Sequence, residues 1–255
     1  MTTRSSTIDG PIKATTRSLE IVEEIMRRDG AGVTELADAL GYSKSTIHDH
    51  LTTLREANYV RREGDRYRVG LYFLTLGGHA RRHEELFEFG KREVDDLVAE
   101  TGEAAKIAVE ENGRGIYLYK SRGENAVRTH SHAGTRVYLH STSVGKAILA
   151  HLPRDRIGEI VAEHGLPTWT DRTITTEAAL REDLRTVRER GYAIDDEERI
   201  RGLRCVGAPV IRDGDVLGAI SISGPRRRFD EAYTEEMGDL VRDAARVIEM
   251  NAKYA

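Results

Sequence analysis

The sequence is short of cysteine, tryptophan and long apolar stretches. Its 255 residues include one cysteine, Cys205, and one tryptophan. A single cysteine cannot form an intrachain disulfide. No apolar run approaches the roughly 18 residues that a membrane span requires. The polar start from Met1 to Ile12 also lacks the apolar stretch of a signal peptide. These absences predict a soluble, cytoplasmic protein.

An excess of basic residues is also missing. The chain holds 39 Lys and Arg against 43 Asp and Glu, for a net charge of −4. Binding to nucleic acid would therefore have to depend on local clusters of charge. Arginine far outnumbers lysine, and acids outnumber bases. This composition is what we expect of a protein from a salty cytoplasm, such as that of a haloarchaeon, although a genome rich in GC would also favour arginine.

The length suits two domains of unequal size, and hydrophobic residues at 39% are enough for ordinary cores. Residues 1–14 lack a periodic pattern and are predicted to form a flexible tail. We place a first domain over residues 15–77 and a boundary at Gly77-Gly78. A linker helix is predicted over residues 78–102, and a second domain over residues 103–255.

Three predicted helices open the first domain. The first ends near Gly30. The second is short, with an N-cap at Thr34 and a stop at Gly41. The third is capped by Ser43 and runs to about Ala57, with a buried face formed by Ile47, Leu51 and Leu54. A short helix, a tight turn containing glycine and a longer helix together indicate a helix-turn-helix.

A predicted β-hairpin follows the third helix. Two short alternating runs between Tyr59 and Gly70 flank Glu63-Gly64-Asp65, which is a hairpin signal. A hairpin in this position is the wing of a winged helix-turn-helix.

The third helix and the wing carry the residue types that contact DNA. Hydroxyl and amine side chains near a helix N-terminus can bind phosphates and reach base edges, and wing arginines can straddle the minor groove. An ordinary solvated helix face and a charged hairpin are the alternative. The residues predicted to contact double-stranded DNA are Arg17, Ser43, Lys44, Ser45, Thr46, His48, Thr52, Arg55, Arg61, Arg62 and Arg66.

The second domain reads as mixed α/β. A hairpin is predicted around Asn112-Gly113, and the last two strands are joined at Asp213-Gly214. Because strands outnumber a βαβ pattern, the sheet is expected to be largely antiparallel with helices around it. Further helices are predicted over residues 144–151, 155–164, 176–190 and 231–253, and further strands over 192–195, 203–211 and 216–223.

Four segments resemble the IclR family of transcription regulators. They are Thr34–Leu54, His140–Ala150, Gly191–Val210 and Ile220–Pro225, and they occur in the family's order. The resemblance implies an α+β chain with an N-terminal winged helix-turn-helix and a C-terminal GAF-like effector-binding domain. It implies a homodimer or tetramer that represses or activates transcription in response to a small molecule, often a carboxylate, an aromatic acid or a sugar-derived acid. The effector residues that it implies are Val137, Ser143, Val144, Asp195, Cys205, Ser221 and Ser223.

The residues give an independent reason for part of this site. Hydroxyls at Ser141, Thr142 and Ser143 precede a helix whose first N–H groups lack internal partners, which suits a carboxylate. Ser221 and Ser223 face the same side of a strand, where buried hydroxyls need a partner. The alternatives are that the first three only cap the helix, that Ser221 and Ser223 bond backbone, and that Cys205 is simply buried. The acidic run from Asp195 to Glu198 would be solvated.

The sequence gives less support to other functions. Nothing near Cys205 in the sequence supports a nucleophile pair, so the chain is predicted not to be an enzyme, and no cofactor is predicted. His130 and His132 lie on one face of an extended segment, and with Cys205 they could form a metal site in a metal-responsive regulator. A ligand-binding interaction module without DNA binding is the remaining alternative.

Overall fold

The computed structural model describes residues 10–254 and, of their side chains, residues 10–253. The described chain divides into two compact units between Arg81 and Arg82. Most of the predicted tail lies outside the described residues. The first helix already begins at Lys13, so residues 13 and 14 are helical.

The first unit is a winged helix-turn-helix, as the sequence predicts. Its apolar side chains form a single core in which Ile21, Ile25, Leu36, Ile47 and Leu51 are fully buried. The strands of the wing pair antiparallel. The elements are α1 Lys13–Arg27, α2 Val33–Leu40, α3 Lys44–Glu56, β1 Val60–Glu63, β2 Arg66–Val69 and α4 Tyr72–Arg82.

The two predicted N-caps of the helix-turn-helix have different outcomes. Ser43 caps α3, and its Oγ accepts a hydrogen bond of 3.1 Å from the Thr46 amide. The predicted cap at Thr34 is wrong, because α2 begins at Val33 with Gly32 as its N-cap. The Glu35 carboxylate accepts a 2.8 Å hydrogen bond from the Gly32 amide, so a side chain inside the helix supplies the capping contact.

The predicted domain boundary at Gly77-Gly78 falls inside α4, and the two units divide between Arg81 and Arg82. Glycine costs a helix only about 1 kcal/mol relative to alanine, which tertiary context can override. The helix instead breaks after Arg82, and a separate helix, α5, spans Glu85–Thr101. Its side chains Leu86, Val94, Leu97 and Val98 are buried in the second unit. The predicted linker helix is thus two helices, and α5 is a core element.

The second unit is built on a six-stranded sheet with the order β5-β4-β3-β8-β7-β6. Every strand pairing within residues 10–254 is antiparallel, which confirms the expected kind of sheet. The short strand β5 was not predicted. The strands are β3 Ala104–Glu111, β4 Arg114–Arg122, β5 Arg136–Tyr138, β6 Ala193–Asp196, β7 Leu203–Arg212 and β8 Asp215–Pro225.

Helices cover both faces of this sheet. On one face α5 and α9, Glu231–Tyr254, pack over alternate strand residues such as Ile107, Val206 and Ile220. The other face is covered by α6 Ser143–Leu149, α7 Arg154–His164 and α8 Glu177–Arg190. We call this second face the α6 face. Among the described residues, no helix is both long and apolar enough to cross a membrane.

Candidate DNA-binding surface and effector site

Helix α3 presents a polar surface opposite its buried face. Ile47 and Leu51 are buried, while Lys44, Ser45 and His48 are exposed and Thr46 and Thr52 are partly exposed. The Ser43 hydroxyl lies 2.9 Å from the Ser45 hydroxyl and 2.8 Å from that of Thr46. Arg55 is exposed in the last turn. The helix start is therefore ordered by its own hydroxyls, while the ammonium of Lys44 remains without an ion pair in the described structure.

Arg17 lies on α1 and is partly buried. Its guanidinium lies 5.3 Å from the centroid of the Tyr42 ring, at the turn that precedes α3. The Tyr42 hydroxyl in turn donates a hydrogen bond to Glu20. These contacts hold Arg17 beside the helix-turn-helix, so its side chain is positioned rather than free.

The wing arginines already have acidic partners. Arg61 lies 3.0 Å from Glu63, and Arg62 lies 3.6 Å from Asp65. Arg66 lies 3.2 Å from Glu35, and it also donates a 2.6 Å hydrogen bond to the Gly30 carbonyl. Arg68 pairs with Glu63 and Asp29. Exposed pairs contribute at most about 1 kcal/mol, so phosphates could replace these carboxylates.

The register of the sheet places four of the predicted effector residues in two rows on the α6 face. One row crosses β3, β8, β7 and β6 and consists of Ala104, Ser223, Cys205 and Asp195. The next row crosses β4, β3, β8, β7 and β6 and consists of Lys120, Lys106, Ser221, Gly207 and Ala193. Side chains directly opposite each other share a face. Ser221, Ser223, Cys205 and Asp195 are therefore brought together, as the resemblance implies.

The start of α6 lies against this face. The Thr142 hydroxyl accepts a 3.1 Å hydrogen bond from the Gly145 amide and so caps the helix. Ser143 and Val144 are buried. A Cβ atom added to Gly207 would lie 3.1 Å from the Val144 nitrogen, so glycine permits the close approach of helix and strand. The Ser141 hydroxyl is buried and has no hydrogen-bond partner within the described residues.

Val137 occupies a different place. It lies on β5, at one edge of the sheet, whereas Asp195 lies on the strand at the opposite edge. Its side chain is buried in the same apolar cluster as Val144. The structure therefore places Val137 in the core beneath α6 rather than in either row.

Ser221 and Ser223 differ in their hydrogen bonds. The Ser223 hydroxyl donates a 3.3 Å bond to the Ala104 carbonyl, as the alternative reading of these serines expects. Ser221 is only 1% exposed, and its hydroxyl has no hydrogen bond within residues 10–254. A buried hydroxyl without a partner is costly, and a group that bonded to Ser221 would remove that cost.

Burial also shifts the titration of the row's acidic groups. It raises the pKa of Asp195 to about 6, although the Lys146 charge and the amides of Glu198 and Arg199 oppose the shift. Burial raises the pKa of Cys205 to about 12, and the nearby Asp195 charge adds to this. Cys205 is therefore a neutral, buried thiol, which suits a wall of a binding site and not a nucleophile.

A buried ion cluster supports α6. Lys146 is 1% exposed, donates a hydrogen bond to Glu198, and lies 3.1 Å from Asp183. Burial opposes its charged form, but the Glu198 and Asp183 carboxylates outweigh burial and raise its pKa. The alternative that the acidic run from Asp195 to Glu198 is solvated does not hold for Asp195 and Glu198, because both are buried.

The sequence reasoning missed three cations near the two rows. Lys106 lies on β3 beside Ser221, and its Nζ is 5.5 Å from the centroid of the Tyr117 ring. Lys120 lies opposite Lys106 on β4. Arg199 donates a 3.1 Å hydrogen bond to the Tyr117 hydroxyl. The signal was present for Lys106, because this lysine stands between Ala105 and Ile107 in the apolar part of β3.

The predicted metal-site residues are not brought together. His130 and His132 are exposed in the segment between β4 and β5, and Cys205 is buried in the sheet. Within the described part of the chain, no group of three His, Cys, Asp or Glu side chains could hold a metal ion.

The fold and these surfaces define a class of protein: a winged helix-turn-helix joined to a domain with a buried polar site. Two family models match the chain. The IclR helix-turn-helix domain matches residues 14–64, and the bacterial transcriptional regulator IclR C-terminal domain matches residues 79–250. The chain belongs to the IclR family of DNA-binding transcription regulators.

Individual relatives agree with this assignment. The "Probable HTH-type transcriptional regulator ArcR" of Halobacterium salinarum is 38% identical over 250 residues, which cover 96% of this chain and 95% of that protein. The crystal structure of the Thermotoga maritima IclR has a TM-score of 0.77 at 30% identity, covering 95% of this chain and 98% of that one. Such relatives are transcription regulators, which confirms the prediction that the chain is not an enzyme.

A third similar structure contains a ligand. It is an IclR homologue from Microbacterium hydrocarbonoxydans in complex with 4-hydroxybenzoate, with a TM-score of 0.82 at 21% identity. It covers 95% of this chain and 100% of that one. At this identity the likeness shows the shared fold.

Proposed function

We propose that this regulator binds its operator with an affinity set by a small organic acid on the α6 face. The observation that carries the proposal is the buried Ser221 hydroxyl, which lacks a protein partner in the described structure and lies in the row next to Asp195 and Cys205. The family is one of DNA-binding regulators, and a structural neighbour holds an aromatic acid. The proposal goes beyond the family assignment in naming an organic acid as the effector.

The DNA contacts follow from the exposed side of α3. Its first turns enter the major groove, where Lys44, Ser45 and His48 reach phosphates and base edges together with Thr46 and Thr52. Ser43 orders the helix start, and Arg55 reaches the backbone. Arg61 and Arg62 in the wing exchange their carboxylate partners for phosphates. Arg17 contacts the backbone beside α3, and Arg66 contributes by fixing the wing.

A second copy of the chain completes the DNA-binding form. None of the residues of α4 is buried, although the helix and the residue before it carry large apolar side chains. Leu71 is 69% exposed and Leu74 is 72% exposed. Exposed apolar side chains that recur along a helix mark an interaction surface. We propose that two α4 helices pack together in a homodimer, which places two α3 helices on a near-palindromic site.

The effector contacts are proposed from the geometry of the α6 face. The acid lies between the start of α6 and the two rows, within reach of Thr142, Ser143 and Val144 on the helix side. Asp195, Cys205, Ser221 and Ser223 form the sheet side, and Val137 supports the helix from the core. An acid that prefers one dimer arrangement shifts the spacing of the two α3 helices, which is a linkage between the two sites.

The experiment combines ligand screening with DNA binding. A thermal-shift screen of small organic acids identifies binders, and fluorescence anisotropy with DNA from upstream of neighbouring genes measures affinity with and without each binder. Ser221→Leu fills the ligand space and is expected to abolish the effect of the acid, with its fold checked by circular dichroism. Binding of an acid with no change in DNA affinity in the wild type would contradict the proposed coupling.

A further inference from the structure

Among the described residues, Lys106 is a buried cation that forms no ion pair. It is 6% exposed, in the middle of β3. Among the described residues, its only direct contact of a polar kind is with the Tyr117 ring, 5.5 Å from Nζ to the ring centroid. A buried ammonium without a carboxylate is strongly disfavoured unless something else compensates its charge.

A second lysine lies directly opposite. Lys120 pairs with Lys106 in the register of β3 and β4, so both side chains share the α6 face. Like charges in this position destabilise a sheet. The ammonium of Lys120 donates only to neutral groups, the Thr129 hydroxyl at 2.7 Å and the hydroxyl and carbonyl of Ser131. Burial lowers the pKa of Lys120 to about 8, and the charge of Lys106 adds to the shift.

The nearby carboxylates are engaged elsewhere. Glu198 and Asp183 are the partners of Lys146. Asp195 accepts a 2.9 Å hydrogen bond from the Glu198 amide, and its charge acts on Lys106 only from beyond ion-pair distance. The row of Lys106 and Lys120 thus carries two positive charges for which the described chain supplies no ion-paired carboxylate.

We propose that the effector of this regulator carries two acidic groups, and that Lys106 binds one of them together with the Ser221 hydroxyl. The inference rests on the proposed effector function and names the class of ligand. Lys120 supplies the second compensating charge. Ser221 is the register partner of Lys106, so the two side chains are neighbours on the α6 face. The other acidic group lies towards the start of α6.

The spacing of the strands sets the size of this ligand. Lys106 on β3 and Gly207 on β7 are two strands apart in the row, which is about 10 Å at the usual strand separation. The lysine side chain spans part of this distance, and α6 approaches Gly207 closely. This distance leads us to propose a dicarboxylic acid of about three to five carbons as the ligand.

Matched acids test the number of charges. Calorimetric titration of the full-length protein at fixed ionic strength compares succinate with butanoate, which has the same chain length and one carboxylate. One additional charge-assisted contact corresponds to about tenfold or more in affinity, so succinate is expected to bind more tightly by that factor. Malonate with propanoate and glutarate with pentanoate extend the comparison to the other lengths.

Substitutions then locate the second acidic group. Lys106→Met is expected to reduce the preference for succinate over butanoate to less than about threefold, and Lys120→Met to reduce it by a smaller factor. Without ligand, Lys106→Met should melt at a higher temperature than the wild type, because an uncompensated buried charge has been removed. Lys91→Met is the matched control, since Lys91 is half exposed on α5 and pairs with Asp95.

The outcomes separate this inference from the proposed function. A preference for dicarboxylates that Lys106→Met removes and Lys91→Met retains supports it. Equal binding of mono- and dicarboxylates, or a preference that survives Lys106→Met, overturns it and leaves an acid effector in place. Absence of binding by every acid of both series overturns the inference and the proposed acid effector together.

Discussion

Lys146 on α6 donates a buried hydrogen bond to Glu198, which lies 52 residues further along the chain in the segment after β6. Both side chains are almost inaccessible, and Asp183 on α8 completes the cluster. Helix α6 is therefore attached to the segment that also holds Asp195. Any movement of α6 on ligand binding has to carry this cluster with it.

Removing the Lys146 ammonium should lower the free energy of unfolding. Lys146→Met leaves the Glu198 and Asp183 carboxylates together without a counter-ion, and loss of one partner from a buried pair costs about 3 kcal/mol or more. We expect the loss in the free energy of unfolding to be larger at pH 8 than at pH 5, because Glu198 is protonated at the lower pH. Urea denaturation at both pH values measures it.

The control for this prediction is an exposed pair. Lys91→Met breaks the pair of Lys91 with Asp95 on α5 and should change the free energy of unfolding by less than about 1 kcal/mol at either pH. A Lys146→Met protein as stable as this control would show that the cluster contributes nothing to the fold.

The titration of Glu198 gives a second prediction. Burial raises its pKa from the ordinary 4.5 to about 7, against the opposing charge of Lys146. Between these values the folded state retains a proton that the unfolded chain has released, so the contribution of Glu198 to stability is lost as the pH rises from 4.5 to 7. Glu198→Gln removes this dependence.

The buried His140 and His151 have lowered pKa values, so they change the free energy of unfolding with pH in the opposite direction to Glu198. Subtracting the wild-type value from that of Glu198→Gln at each pH therefore isolates the contribution of Glu198. The free energy of unfolding of Glu198→Gln minus that of the wild type should increase from pH 4.5 to pH 7 and then level off. A difference that falls over this range would mean that Glu198 is ionised throughout.

Replacing Gly145 or Gly158 with alanine should change the free energy of unfolding in opposite directions. A Cβ on Gly145 in α6 would lie 2.2 Å from the Leu139 carbonyl oxygen, whereas Gly158 in α7 has open space. Gly145→Ala is expected to lower the free energy of unfolding by about 1–3 kcal/mol through overpacking. Gly158→Ala should raise it by roughly 0.5–1 kcal/mol, because alanine favours the helix. Chemical denaturation measures both, and equal effects would contradict the close packing of α6.

The dependence of DNA affinity on salt concentration tests the proposed DNA-binding surface. Lys44→Ala should lower the slope of log affinity against log salt by about 0.9, which is the loss of one phosphate contact. Arg66→Ala should change the slope by less, since Arg66 is bound to Glu35 and to the Gly30 carbonyl. Gel-shift titrations over a range of salt give the slopes. Equal losses for the two variants would mean that the wing arginine leaves its internal partners on DNA.

Local features of the fold could be predicted from the sequence, whereas tertiary pairings could not. Ser43 was recognised as a cap because its partner, the Thr46 amide, is three residues away. The cap of α2 was misplaced because Glu35 reaches backwards to Gly32. Glycines at 77 and 78 suggested a break, but the helix continues through them.

The candidate site shows the same division. Ser221 and Ser223 could be assigned to one face from the alternation of a strand. The alternative of a solvated acidic run fails at Glu198, because its partner Lys146 is distant in the sequence and only the folded chain brings them together. Lys106 was missed for a related reason: its significance comes from Lys120 and Ser221, which are its neighbours on adjacent strands.

The most direct measurement is the affinity of the full-length protein for DNA from upstream of neighbouring genes and for random duplex of equal length, at one moderate ionic strength, with and without succinate. We predict a preference for the upstream DNA of about a thousandfold. Saturating succinate should change that affinity by about fivefold or more in the wild type, and Lys106→Met should need a higher succinate concentration to reach the same change. Equal affinity for both duplexes at every succinate concentration would contradict the account.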